Sequence, residues 1–150
     1  GPYNDLAFGF QEVAKYYYYP GWHEPGSILE FIFNRDSLEA LPADLQAIVK
    51  YAARAANQDM LDEYTARNNA ALQSLLNEHG VQLRRLPDDV LLALWQGTQE
   101  AMDRLVRSDP MAARVYESYR DFYKGVRNYH HISEQAYINV RDEVFGDADY

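Results

Sequence analysis

The sequence contains no cysteine, which excludes disulfide bonds and thiolate chemistry, whether redox or metal binding. The absence of cysteine leaves both a cytoplasmic and a periplasmic compartment open. Basic residues are also scarce: 14 Lys and Arg stand against 23 Asp and Glu, for a net charge of −9. A nucleic-acid partner needs a surface of the opposite charge, so no nucleic acid is expected.

Long apolar runs are missing as well, since no stretch approaches the roughly 18 residues that a membrane span requires. No signal peptide is recognisable, and the first residues, Gly1-Pro2, lack a methionine, which predicts a chain that is cut or engineered at its front. There is no Ser/His/Asp grouping, glycine-rich phosphate loop or Cys/His pair, so an enzyme is not expected.

The most distinctive stretch is a run of four tyrosines followed by two proline–glycine breaks, at residues 16–26. Tyrosine favours extended backbone, so residues 15–19 are predicted to form a strand, and the prolines and glycines predict a structured turn. The turn carries Trp22, a stacking surface; His23, a titratable nitrogen; and Glu24, an acceptor for a cation or hydroxyl. The alternative is a solvent-facing aromatic turn without a ligand.

Before the tyrosines, Asn4 or Asp5 is expected to cap a helix that reaches Val13. After the turn, the apolar residues 28–33 predict a buried strand, and Asp36 with Glu39 has the spacing of a capping box. Apolar residues at three- and four-residue spacings then predict a very long helix from Pro42 to Gly80. Its length, about 55 Å at 1.5 Å per residue, exceeds the width of a small domain.

The last part of the chain predicts a short edge strand at 81–86 and three helices. The first begins at Pro87-Asp88, the second at the Asp109 cap, and the last at a Ser133 cap. The chain is therefore expected to be helix-dominated, with about three short strands and one very long helix. So few strands do not make an independent sheet, which predicts that partner strands are missing.

Other clusters offer weaker candidates for a site. His130, His131 and Glu134 share a helix face that could suit a metal, but a metal site needs three or four converging ligands, so solvated side chains are the simpler interpretation. The acidic residues near the C-terminus are most simply a solvated surface.

Several motifs together resemble one family. They are the opening Gly1–Phe10, the stretch Ala14–Gly26, Leu41-Pro42 at the start of the long helix, and the segment Ala52–Gln58. These motifs resemble the C-terminal portion of the extracytoplasmic solute receptors of tripartite ATP-independent periplasmic (TRAP) transporters, of the DctP type. The similarity is to the branch that binds 2-oxo and 2-hydroxy monocarboxylates with a metal ion.

The resemblance implies an α/β parent protein, a two-lobed receptor similar to type II periplasmic binding proteins, of which residues 1–150 are the C-terminal part. Residues 1–36 would hold a helix, a strand, the ligand loop and a second strand. Residues 37–80 would form the long helix, and residues 81–150 a strand and the C-terminal helices. Such receptors are about twice as long as this chain, so most of both lobes would lie outside it.

For the site, the resemblance implies that Glu24 lies next to the bound substrate, with Trp22 and His23 as weaker candidates. The family's metal-binding Glu-Trp pair and its substrate-clamping arginine would fall upstream of Gly1, so no metal ligand is expected within the chain. A Na or Ca ion is an expectation for the full receptor only.

The implied function is capture of a small monocarboxylate in the periplasm and its delivery to the TRAP permease. The alternative is a helical dimerisation or interaction module without a ligand of its own. The two are compatible, because the resembling branch exchanges its C-terminal helix between subunits, which predicts a homodimer through residues 110–145.

Overall fold

A computed structural model describes residues 1–26 and 28–146 of the chain. The chain divides into two units, one of residues 1–91 and the other beginning at Leu92. The structure is dominated by helices and contains two short strands, β1 (Tyr16–Tyr19) and β2 (Gln82–Arg85). The helices are α1 (Pro2–Ala7), α2 (Arg35–Glu39), α3 (Ala43–Asn77), α4 (Asp88–Ser108), α5 (Pro110–Ile132) and α6 (Glu134–Val140), with a 3-10 turn at Phe10–Glu12 and a π-helical turn at Arg141–Phe145.

The two strands form a parallel pair, in which Tyr16 lies opposite Gln82 and Tyr19 lies opposite Arg85. Parallel pairing requires a long crossover connection, and helix α3 with its flanking segments supplies it. The predicted strands at 15–19 and 81–86 are thus confirmed, with bounds shorter by a residue or two.

The predicted strand at residues 28–33 is wrong. These residues have no regular secondary structure and are exposed. An apolar run becomes a strand only when another strand accepts its backbone hydrogen bonds, and within the described residues no strand lies beside it. The sequence pattern specifies the extended preference but not the presence of a neighbour.

The long helix is confirmed, because α3 spans 35 residues without a break. Gly80 adopts a left-handed backbone with φ of 67°, and the Val81 N–H donates to the carbonyl of Leu75 at 3.0 Å. This bond satisfies a carbonyl that the helix end would otherwise leave unpaired. Glycine tolerates the left-handed conformation because it has no Cβ.

Three helix-start predictions need correction. Helix α1 begins after Gly1 and ends at Ala7, because Gly9 turns left-handed (φ 76°) before the helix can reach Val13. Asn34 caps α2 by accepting from the Ser37 N–H at 2.9 Å, so Asp36 lies inside the first turn and makes no capping box. Ser133 precedes α6, but its hydroxyl donates backwards to the carbonyl of Tyr129.

In the first unit, α1 packs on α3. The Tyr3 N–H donates to Asn68 Oδ1 at 3.1 Å, and the Asn4 side-chain amide donates to the Tyr64 hydroxyl. Three apolar residues, Ala71, Leu75 and Val81, are buried where the end of α3 meets the start of β2. The core that positions β1 and its loop is therefore small and lies at one end of α3.

In the second unit, Asp109 caps α5 as expected, because its carboxylate accepts from the Met111 N–H at 2.7 Å. Helix α5 packs against α6. The rings of Tyr116, Tyr119 and Tyr123 stack along one side of α5, with centroids 6.4 and 6.3 Å apart.

Candidate functional site

The loop of residues 20–26 begins where the parallel strand pair ends. The last ladder bond runs from the Leu86 N–H to the carbonyl of Tyr19 at 2.7 Å, immediately before Pro20. The carboxyl ends of parallel strands are the usual position of ligand sites in α/β proteins. The predicted strand-to-loop arrangement is therefore present, on a sheet of two strands within the described residues.

Strand β1 is tied to the rest of the first unit by a half-buried phenol, that of Tyr17. The Tyr17 hydroxyl donates to Asp5 Oδ2 at 2.6 Å and thereby ties β1 to α1. Burial raises the pKa of Tyr17 above its ordinary value, and the hydrogen bond and negative charge of Asp5 add to the shift. The phenol therefore stays protonated and keeps this link across the physiological pH range.

Gly21 fixes the shape of the loop. A Cβ at this position would lie 2.9 Å from the carbonyl oxygen of Glu24, which is closer than a side chain can approach. The chain thus folds back on itself between Gly21 and Glu24. The resulting tight turn contains the three predicted site residues.

The three side chains are close in the chain but do not form an enclosed site. The rings of Trp22 and His23 lie 5.1 Å apart with an angle of 55° between their planes. Glu24 and both rings are exposed, and no hydrogen bond to any of the three side chains occurs among the described residues. The loop alone offers one stacking surface and one carboxylate. These groups could contribute to a binding site, but they do not enclose a pocket.

Arg85 is a residue that sequence reasoning missed. The strand register brings it opposite Tyr19, at the base of the loop, and its guanidinium pairs with Asp88 at 2.7 Å. Both side chains of the pair are more than half exposed, so the pair contributes little to stability. The Arg84-Arg85 pair was visible in the sequence, but only the parallel register connects it with the loop.

A cavity of about 210 Å³ lies in the first unit, and no residue of the loop 20–26 lines it. This cavity lies between the α1 region, β1 and the end of α3, and it is lined by Asp5, Gln11, Tyr17 and Leu75 among others. The Oε1 atom of Gln11 is buried and has no hydrogen-bond partner among the protein atoms. None of the predicted site residues lines the cavity.

The structure does not support a metal centre in residues 1–26 and 28–146. No three His, Asp or Glu side chains converge in this part of the chain. His130 Nδ1 lies 3.5 Å from Glu134 Oε2, which makes a helix-face pair rather than a ligand set. The described residues therefore bring no such ligand set together.

Comparisons with known proteins identify the class of protein. A family model described as bacterial extracellular solute-binding protein, family 7 (DctP), matches residues 2–109. The chain is 33% identical over 139 residues to a protein from Nostoc sp. named monocarboxylate 2-oxoacid-binding periplasmic protein, a match of 93% of this chain and 38% of that protein. The chain thus spans well under half the length of this relative.

A solved structure gives the same result. A TRAP transporter solute-binding protein from Bordetella bronchiseptica RB50 superposes with a TM-score of 0.84 at 30% identity, over 93% of this chain and 41% of that one. Its crystal structure is described as a mixed-occupancy dimer, with copurified calcium and picolinate in one active site and an apo site in the other. These proteins bind solutes and are not enzymes, in agreement with the sequence.

The chain belongs to family 7 of the bacterial extracellular solute-binding proteins, the DctP family. The helix-dominated fold with a short parallel strand pair is the fold of the matching part of a TRAP solute-binding protein. In the described part of the chain, none of the helices combines the length and apolar character needed to cross a bilayer.

Proposed function

We propose that residues 1–150 are the C-terminal part of the receptor of a TRAP transporter. The receptor captures a small monocarboxylate, a 2-oxo or 2-hydroxy acid, in the periplasm and delivers it to the membrane permease. The observation that carries this proposal is the 33% identity to a 2-oxoacid-binding periplasmic protein over nearly the whole chain. The position of the loop at the carboxyl end of a parallel strand pair supports it.

Within this receptor, residues 1–36 carry the ligand loop, residues 37–80 the long helix, and residues 81–150 a strand and the C-terminal helices. The coverage of 38% and 41% of the two similar proteins supports a receptor in which other residues complete both lobes. The exposure of Trp22, His23 and Glu24 fits the same arrangement, because a second lobe closing over the loop would desolvate them.

In the closed site, Glu24 accepts a hydrogen bond from the hydroxyl of the substrate or orients the groups around it. Trp22 supplies an apolar surface, and His23 is a weaker contact. A carboxylate in a dehydrated site makes strong, charge-assisted hydrogen bonds, which is the physical reason to favour Glu24 over its neighbours. An ion such as Na or Ca in the complete receptor would be held by residues other than 1–150.

The test uses a joined receptor, in which the part of the Nostoc or Bordetella protein outside the match is fused ahead of residue 1. Of the Nostoc and Bordetella proteins, the one whose fusion melts cooperatively is used. Calorimetry with pyruvate or lactate is expected to show tight binding to the joined receptor and no heat with residues 1–150 alone. Micromolar binding to the isolated chain would mean that the site lies elsewhere.

The Glu24→Gln variant of the joined receptor tests the role of the carboxylate. We expect its affinity to fall by about 1–3 kcal/mol, the contribution of one charge-assisted hydrogen bond in a closed site. Glu12→Gln is the matched control, because Glu12 is also an exposed glutamate of the first unit but lies in the 3-10 turn. Equal affinities of the two variants would remove Glu24 from the site.

A second function, dimerisation through the C-terminal helices, is favoured by one observation. The side chains expected to form the interface are all exposed: Val115, Tyr119, Phe122, Val126, Tyr137 and Val140. Aromatic and branched apolar residues on one helical pair are typical of an interface that excludes water. A homodimer is compatible with the receptor and is tested below by its mass.

A further inference from the structure

Residues 28–33 have the alternation of a β-strand although they are not paired as one. The exposed fractions of Ile28 and Ile32 are 80% and 85%, whereas those of Leu29, Phe31 and Phe33 are 42%, 45% and 46%. The odd-numbered side chains are thus about half covered, and the even-numbered ones are open to solvent. A period of two residues is the signature of extended backbone with one face turned inward.

The backbone of this segment is held at both ends and unpaired between them. The Leu29 N–H donates to Asn57 Oδ1 of α3 at 2.6 Å, and Asn34 at the other end caps α2. No other backbone hydrogen bond involving residues 28–33 occurs in the described part of the chain. Since successive N–H groups of an extended chain alternate between its two edges, those of Glu30 and Ile32 lie on the edge away from the Asn57 contact.

Ile28 and Ile32 are among the exposed apolar side chains of the first unit. An exposed strand edge beside apolar side chains is an unusual combination for a protein without a partner.

We propose that residues 28–33 are a docking edge for a β-strand supplied by receptor residues outside 1–150. The docking strand pairs with the backbone of Glu30 and Ile32 and covers Ile28 and Ile32. This inference rests on the proposed function, because it assumes that residues 1–150 work within a longer receptor. It goes further by naming the segment that joins the two parts, and it places that joint directly after the ligand loop.

Glu30 argues against a second copy of the chain as the occupant. Its side chain lies on the same face as Ile28 and Ile32, because it alternates with Leu29 and Phe31. An antiparallel self-pairing that matches Ile28 with Ile32 places Glu30 opposite Glu30, and a parallel in-register pairing does the same. Like charges directly opposite each other destabilise a strand pair, so a different strand is favoured.

Hydrogen exchange of the Glu30 and Ile32 amides tests the proposal. In the isolated chain we expect fast exchange at low and at high protein concentration. In the joined receptor we expect exchange slower by at least about a hundredfold, as for amides in a paired strand. Protection in the dilute isolated chain, protection only at high concentration, or fast exchange in the joined receptor would each overturn the proposal.

Ile32→Lys in the joined receptor provides a second measurement. A lysine on the docking face is expected to abolish the protection of Glu30, whereas Val13→Lys leaves it unchanged. Val13 is an equally suitable position for a charge, since it is 87% exposed and follows the 3-10 turn rather than an extended segment. Protection that survives Ile32→Lys would contradict a partner on this face.

Calorimetry on the same samples separates this inference from the proposed function. Carboxylate binding without protection of Glu30 and Ile32 would overturn the docking edge and leave the receptor function intact. Protection without carboxylate binding would support the docking edge and contradict the proposed ligand.

Discussion

Gly21 is the residue on which the shape of the loop of residues 20–26 depends most directly. A methyl group at this position meets the carbonyl oxygen of Glu24 at 2.9 Å, so Gly21→Ala forces the turn to open. We expect weaker carboxylate binding by the joined receptor, by about 1–3 kcal/mol, the usual cost of inserting a methyl group where there is no room. Calorimetry measures the affinity, and thermal melting checks that the core is unchanged.

Gly26→Ala is the control for this change, because a Cβ at Gly26 has no heavy atom within 4 Å. Its affinity is expected to equal that of the unmodified receptor. If Gly21→Ala and Gly26→Ala bind equally well, the fold-back at Gly21 plays no part in the site, and Glu24 reaches the ligand without it.

Helix α3 is the longest element of the first unit and contributes buried residues to its core. Most of its length is exposed, but its last turns bury Ala71 and Leu75, and Leu75 is only 2% exposed. The small core at this end supports β2 directly, through Val81, and also lies against the cavity wall formed with β1. The position of the loop of residues 20–26 therefore depends on the end of α3 rather than on its whole length.

Leu75→Ala is expected to destabilise the first unit by about 2–5 kcal/mol, because it removes buried methyl groups and leaves a cavity. Urea unfolding followed by circular dichroism measures the change. Leu61→Ala, on the exposed middle of the same helix, should cost much less, with helix propensity nearly unchanged. A similar loss for the two variants would show that the core is not concentrated at the end of α3.

At the scale of the whole molecule, the exposed apolar residues of α5 and α6 predict self-association. An interface of standard size buries about 1,600 Å², which two helices of this length can supply. We expect light scattering at micromolar concentration to give twice the chain mass of 17.4 kDa. Deleting residues 128–150 should restore the monomer mass.

Phe122→Glu is a milder test of the same interface, because it places a charge on a side chain that is 72% exposed and therefore free of core contacts. Tyr51→Glu, on an exposed part of α3, is the control and should leave the mass unchanged. If the unmodified chain has the mass of a monomer and melts cooperatively, the predicted dimer is wrong.

The sequence by itself determined the local elements and the family. The apolar spacing along α3 and the Asp109 cap are local patterns, and each needs only the residues within its own element or a few positions away. The tyrosine run sets the extended preference of residues 16–19 in the same local way. The motifs at residues 1–10 and 14–26 are long enough to identify the family, which the family model then confirmed.

The tertiary structure decided what depends on distant neighbours. The same apolar and aromatic composition gave a strand at residues 16–19, where β2 lies alongside, and an unpaired segment at 28–33, where no strand does within the described residues. Two further features depend likewise on how distant segments are placed in the fold. They are the strand register that brings Arg85 to the base of the loop and the contact between Leu29 and Asn57. Backbone hydrogen bonds between segments form only where folding brings a donor and an acceptor together, and no local pattern encodes that proximity.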